Sequence, residues 1–172
     1  MKKTLCLIAV LLIGAIFLSG CAEGKNGIGF DVGFADATVF GYTENGNGIT
    51  FYGGGAVIYG AEELKEFCAK RNNGAFDTES ADYSLTMSVK LREYDDEYFE
   101  TKALIVYSLT DVNWERDPKI ERISVKDTDL IIKISLKRGV FSDKAEIGTF
   151  LIEVNKEDVK NISDVVVEEA ER

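Results

Sequence analysis

From residue 38 onward the chain is dominated by short apolar runs broken by polar turns. Aromatic and β-branched residues fill 38–43 and 49–52 on either side of Asn45-Gly46-Asn47-Gly48, the strongest local signal for a β-hairpin in the sequence. A triple glycine at 53–55 precedes a further extended run, 56–59, and reads as a bulge or bend between strands; it lacks the Lys and Ser/Thr of a P-loop. Residues 61–70 predict one helix: Ala61, Leu64, Phe67 and Cys68 fall on one face, Glu62 and Glu63 occupy its first turn, and Asn72-Asn73-Gly74 ends it. Leu85, Met87, Val89 and Leu91 alternate with polar residues, a period of two that predicts a half-buried strand. A short acidic helical turn follows at 95–100, offering Tyr98 and Phe99 to a core. Residues 103–109 are nearly all apolar, as a central strand covered on both faces requires. After the Asp117-Pro118 turn, four more strands are expected at 123–125, 130–136, 148–154 and 162–167. Short polar turns favour antiparallel neighbours, so the predicted fold is α+β: a mainly antiparallel sheet with the 61–70 helix packed on one face.

The amino end follows a different pattern. Lys2 and Lys3 precede 14 residues, 5–18, without a charge. That is too short for a membrane-spanning helix, which needs about 20 apolar residues, and fits a signal-peptide core. The run ends Leu18-Ser19-Gly20-Cys21, which resembles the lipobox of bacterial lipoproteins: an aliphatic residue, two small ones, then cysteine. The resemblance implies cleavage before Cys21 and transfer of a diacylglyceryl group to its thiolate, and two acyl chains suffice for stable anchoring. The expected organisation is a signal peptide at 1–20, a lipidated Cys21 with a flexible tether through 36, and one globular domain at 37–172. Of the 16 glycines, 11 lie between Gly24 and Gly60, consistent with a loose opening to the mature chain.

Composition narrows the partners. The 172 residues carry 20 basic and 30 acidic side chains, and the signal removes two lysines and no acid. The mature chain would therefore keep 18 basic against 30 acidic groups, a net charge of −12. Such a polyanion is repelled by nucleic acid and by anionic headgroups, so the expected membrane partner is reached through the lipid alone. Ala22 is not an inner-membrane retention aspartate. Cys6 leaves with the signal and Cys21 is lipidated, leaving Cys68 without a disulfide partner and readable as a small buried hydrophobe or, less simply, as a reactive thiol.

The absence of histidine excludes Ser-His and Cys-His pairs and the HExxH zinc site, and no paired Cys-x-x-Cys, Ser-x-x-Lys or Gly-x-Ser-x-Gly is present. No catalytic residue, metal site or cofactor is assigned. The sharpest enzymatic reading is a glycosidase-like pair drawn from Asp95, Asp96, Glu97 and Glu100, although consecutive acids on a short turn are more often solvated. Asp127-Thr128-Asp129 and the turn from Glu44 to Asn47 supply oxygens for calcium, yet neither follows the EF-hand pattern. Trp114, the single tryptophan, lies in the polar stretch before Pro118 and is a candidate ligand-binding anchor or a lid on a sheet edge. Phe40, Tyr42, Phe51 and Tyr52 are read either as anchors of the same kind or as residues that their hairpin simply buries.

Val57-Ile58-Tyr59-Gly60-Ala61-Glu62-Glu63-Leu64 and Tyr94-Asp95-Asp96-Glu97-Tyr98-Phe99, followed by Leu104-Ile105-Val106 and the later strands, resemble a group of lipoprotein-like proteins from low-GC Gram-positive bacteria. The layout is distantly similar to the C-terminal domain of the protease-complex subunit PrcB. The resemblance spans about residues 57–167 and implies the fold and a single-membrane, outward-facing setting. Such proteins often carry a Gly/Ser-rich segment with Arg-His after the central strand; here Thr110-Asp111-Val112-Asn113-Trp114-Glu115 stands instead, so no role of that segment carries over. The expected function is a membrane-tethered, extracytoplasmic, non-enzymatic binding or accessory domain. It would engage a protein or peptide through an exposed sheet edge or the Trp114 loop. The alternative is a carboxylate-dependent cell-envelope hydrolase.

Overall fold

The computed structural model describes residues 27–45, 48–112, 114–138 and 146–172; the signal segment and Cys21 lie outside them. The elements run β1 (Phe30–Asp36), β2 (Tyr42–Asn45), β3 (Gly48–Phe51), β4 (Gly54–Ile58), α1 (Ala61–Ala69), α2 (Thr86–Leu91) and α3 (Asp96–Thr101). They continue with β5 (Lys102–Val112), β6 (Lys119–Lys126), β7 (Asp129–Leu136), β8 (Glu146–Asn155) and β9 (Asp164–Glu171). The class is α+β, as the pattern predicts, but the strands form two principal sheets rather than one. The first is four-stranded in the order β1-β8-β5-β4, antiparallel throughout. The second is β6-β7-β9, in which β6 and β7 form an antiparallel hairpin while β9 runs parallel to β7. The parallel pair is possible because β8, which comes between β7 and β9 in the chain, lies in the other sheet.

Every residue of β5 from Ala103 to Leu109 is buried, and the pleat sends successive side chains into different cores. Ala103, Ile105, Tyr107 and Leu109 face the second sheet, where Leu130, Ile132, Ile134 and Leu136 of β7 and Phe150, Ile152 and Val154 of β8 complete the layer. Leu104 and Val106, with Leu151 of β8, meet Leu64 and Cys68 of α1, Met87 and Leu91 of α2, and Phe99 of α3 on the opposite side. The molecule is therefore three layers deep: helices, four-stranded sheet, three-stranded sheet.

The edges of the two sheets approach each other. At one side the Ile28 amide donates to the Ile123 carbonyl at 2.9 Å, an isolated antiparallel bridge joining the start of β1 to β6. At the other, β4 packs on β9 so closely that a Cβ added to Gly55 would lie 2.5 Å from Val165 Cγ1 and 2.9 Å from the Tyr107 ring. The result is a flattened, incompletely closed barrel whose sheet edges are largely covered.

Two expectations are corrected. Residues 30–36, expected within the tether, form β1, which pairs along β8 from Phe30↔Val154 to Asp36↔Thr149. A register shift between Val32 and Phe34 switches faces, so Phe30 enters the inter-sheet core and Phe34 packs on the helical side. Residues 85–91, where the alternation predicts a strand, form α2 with Leu85 as its N-cap. Met87, Ser88 and Leu91 are buried at helical spacing, while Leu85 and Val89 remain about half exposed, which strict alternation would have buried.

Gly55→Ala should destabilise the domain by about 1–3 kcal/mol, because the added methyl has nowhere to go between Val165 and Tyr107. Urea denaturation should show the loss shrinking when Val165→Ala is combined with it. Additive losses would show that β4 and β9 do not pack in solution as they do here.

Candidate functional site

With the other edges covered, β2 and β3 stand apart as a two-stranded sheet, and the residues at their root explain why so short a hairpin holds its shape. The Tyr42 amide donates to the Arg71 carbonyl at 2.7 Å, Asn72 Nδ2 donates to the Tyr42 carbonyl at 3.1 Å, and the Tyr52 amide donates to the Gly41 carbonyl at 2.8 Å. The chain at Gly41 lies so near α1's end that a Cβ there would stand 2.4 Å from the Arg71 carbonyl oxygen, so only glycine fits. Asn72 leaves the helix at φ +50°, a left-handed conformation that asparagine tolerates better than most residues.

Side chains finish the brace. The rings of Phe40, Tyr52 and Phe67 meet with centroids 5.3 to 5.7 Å apart, and the Arg71 guanidinium lies 3.6 Å from the centroid of Phe67 and 4.5 Å from that of Tyr52. The four hairpin aromatics thus divide. Phe40 is fully buried and Tyr52 mostly so, Tyr42 is half-buried, and Phe51 projects. In the pairs Tyr42↔Phe51 and Glu44↔Ile49, alternation sets Tyr42, Glu44, Ile49 and Phe51 on one face of the hairpin. Ile49 is 59% exposed and Phe51 50% exposed on that face, the one opposite Tyr52. The antiparallel register of β1, β8, β5 and β4 brings Asp36, Thr149, Ser108 and Gly54 to one end of the main sheet, so the hairpin projects from the end opposite residue 27.

Trp114 opens a single 3₁₀ turn, Trp114–Arg116, just past β5, whose Thr110 side chain touches Gly53. The turn lies at the hairpin's end of the sheet; the Trp114 side chain lies outside the described residues. The acidic residues do not assemble as a glycosidase pair would: Asp95, Asp96, Glu97 and Glu100 are all exposed, whereas the acid of such a pair must be buried. Asp95 instead caps α3, its Oδ1 accepting from the Tyr98 amide at 2.9 Å. Asp127 and Thr128 form the two-residue β6–β7 turn, Asp127 at φ +56°. Residues 46 and 47 lie outside the described residues, among which no group of three or more His, Cys, Asp or Glu is placed to hold a metal ion. Cys68 is buried in the helical core and burial pushes its thiol up to about 12.

Two polar features escaped the sequence reading. Tyr94 donates to Glu153 Oε1 at 3.0 Å, and Lys90 Nζ lies 3.4 Å from the same oxygen and 3.0 Å from Glu93 Oε2. This knot closes over Gly33, where a Cβ would stand 2.4 Å from the Tyr94 hydroxyl. The second is Ser88. It lies within α2, is 1% exposed, and its hydroxyl has no hydrogen-bond partner among the described residues. A buried orphan of this kind costs about 1–3 kcal/mol. Ser88 lines a cleft of about 260 Å³ between the chain at 38–41 and the start of α2.

No family model, curated protein or solved structure matches the chain.

Burial raises the Cys68 thiol from 9.0 and the Tyr52 phenol from 10.0, each to about 12. Above their ordinary values the unfolded chain therefore binds fewer protons than the folded one, and stability should fall as pH rises from about 9 to about 12. Urea denaturation at a series of alkaline pH values should show a shallower decline for Cys68→Ala than for the unmodified chain. Parallel declines would remove the thiol from the account.

Proposed function

We propose that this chain is an extracytoplasmic lipoprotein held to the membrane by a lipidated Cys21, and that its domain binds a protein or peptide partner instead of catalysing a reaction. The observation that carries the binding role is the braced hairpin with Ile49 and Phe51 half exposed on one face. Large apolar side chains on a rigid support lose little conformational freedom on docking and give up much water contact, which is what interface anchors require. Glu44 on the same face and the net charge of −12 expected for the mature chain argue against an anionic membrane or a nucleic acid as the partner. β1 spans seven residues, so at about 3.3 Å per residue the hairpin's root stands roughly 20 Å along the sheet from the start of β1. Trp114 is proposed to contribute from the neighbouring turn. No helix among the described residues is long and apolar enough to cross a membrane, so attachment in this reading depends on Cys21 and its acyl chains.

Metabolic labelling with an alkyne-bearing fatty acid should tag the unmodified chain and spare Cys21→Ser; equal labelling refutes the anchor. Separately, a photo-crosslinking residue placed at 49 in cells should trap a discrete species that is absent from position 126 on the β6–β7 hairpin and lost when Phe51→Asp is added. Identical products from both positions refute the hairpin as the contact.

A further inference from the structure

We infer that the hairpin's partner is a second copy of this chain, joined to the first by antiparallel pairing of the outer edges of the two β3 strands, with Thr50 opposite Thr50. The inference rests on the reading of the hairpin as the docking element and names what docks there. In an antiparallel pair, residues that exchange hydrogen bonds alternate with residues that do not. The Tyr52 amide donates to the Gly41 carbonyl, so Thr43↔Thr50 is likewise a bonded pair, while Tyr42↔Phe51 and Glu44↔Ile49 turn their amide and carbonyl groups outward. Tyr42 shows this directly, since its amide bonds to Arg71 and its carbonyl to Asn72 at the end of α1. The β3 edge has no such cover: no hydrogen bond among the described residues uses the outward backbone groups of Ile49 or Phe51. Nor is that edge guarded, because Gly48-Ile49-Thr50-Phe51 contains neither charge nor proline.

A second β3 satisfies this edge completely. With Thr50 opposite its own copy, Ile49 faces the copy's Phe51 and Phe51 faces the copy's Ile49. Each of these pairs exchanges hydrogen bonds in both directions, so every outward group of Ile49 and Phe51 is used, and the two-fold symmetry closes the assembly at two chains. On one face Tyr42 and Phe51 continue into the copy's Ile49, and the half-exposed Ile49 and Phe51 side chains cover each other's flanks. On the other face Thr43 and Thr50 continue into the copy's Thr50 and Thr43, a ladder of hydroxyls suited to cross-strand hydrogen bonds. The two-fold axis stands perpendicular to the shared sheet, so the two bodies lie at opposite ends of the seam and do not compete for its space. Charge does not oppose the register. Glu44 is the one charged residue of β2 and β3. With strands about 4.8 Å apart and residues about 3.4 Å apart along them, Glu44 and its copy stand roughly 16 Å from each other, about two Debye lengths at physiological salt.

Thr50→Cys in the full chain tests the register, because Thr50 and its copy form a non-hydrogen-bonded pair with Cα atoms about 4.5 Å apart, within reach of a disulfide. Copper phenanthroline added to cells carrying this variant should yield a reducible species of twice the chain's mass. The yield should exceed by about fivefold that from Glu44→Cys, exposed on the same hairpin but too far from its copy, or from Lys126→Cys on the β6–β7 hairpin, and the unmodified chain should give none. Adding Phe51→Asp to Thr50→Cys should cut the yield about fivefold by setting a carboxylate against the copy's Ile49, and adding Ile49→Lys as well should restore it, because the register then sets an ammonium against a carboxylate twice. The inference is overturned if Thr50→Cys gives no species of doubled mass, if Glu44→Cys gives as much, or if Ile49→Lys fails to restore the yield. The binding reading stands or falls apart from this: a photo-crosslink from position 49 to a species of any other mass, with no Thr50→Cys dimer, keeps the hairpin as the contact and removes only its self-pairing.

Discussion

The structure depends on β5 being apolar on both faces. A strand that buried one face would need only one covering layer, but Leu104 and Val106 face the helices while Ile105, Tyr107 and Leu109 face the second sheet. Each side chain removed from water on this strand contributes on the order of 1.5–3 kcal/mol, so leaving either face uncovered would forfeit a large share of the domain's marginal stability. The two remaining layers exist because this strand must be covered twice. β8 repeats the arrangement beside it, with Phe150, Ile152 and Val154 on one side and Leu151 on the other.

Covering the second face has a topological consequence. β7 and β9 lie parallel in the outer sheet because β8 is recruited to the inner one between them. Two sheets facing each other then expose four edges, and the chain covers them by the Ile28–Ile123 bridge on one side and the Gly55–Val165 contact on the other. What remains outside the barrel is β2–β3, fixed at its root by Arg71 against Phe67 and Tyr52. The stability of the barrel and the projection of the hairpin thus share one cause, since Gly41 approaches α1 only because α1 is held on the face of β5.

Much of this is legible in the residues. The Asn45-Gly48 hairpin, the 61–69 helix, the Asp95-capped turn and the doubly covered 103–109 strand all carry local signals strong enough to survive packing. Two segments misled. Phe30, Val32 and Phe34 alternate as a strand should, but the surrounding glycines suggested a tether, and the bulge at Gly33 sends Phe30 and Phe34 to different cores. Leu85 to Leu91 alternates equally well, yet Met87 and Leu91 are also four apart. The helical arrangement buries them beside Ser88 at the expense of exposing Leu85 and Val89. A short apolar pattern compatible with both periods is decided by what it packs against.

The residues by themselves determined the class of fold, the principal strand and helix, the hairpin turn and the excess of negative charge, because each arises from neighbours in the chain or from simple counting. The division into two sheets, the parallel pairing of β9, and the burial of Phe40 against the projection of Phe51 were decided only in three dimensions. These depend on contacts between segments far apart in sequence, whose geometry exists only once the two faces of β5 are covered.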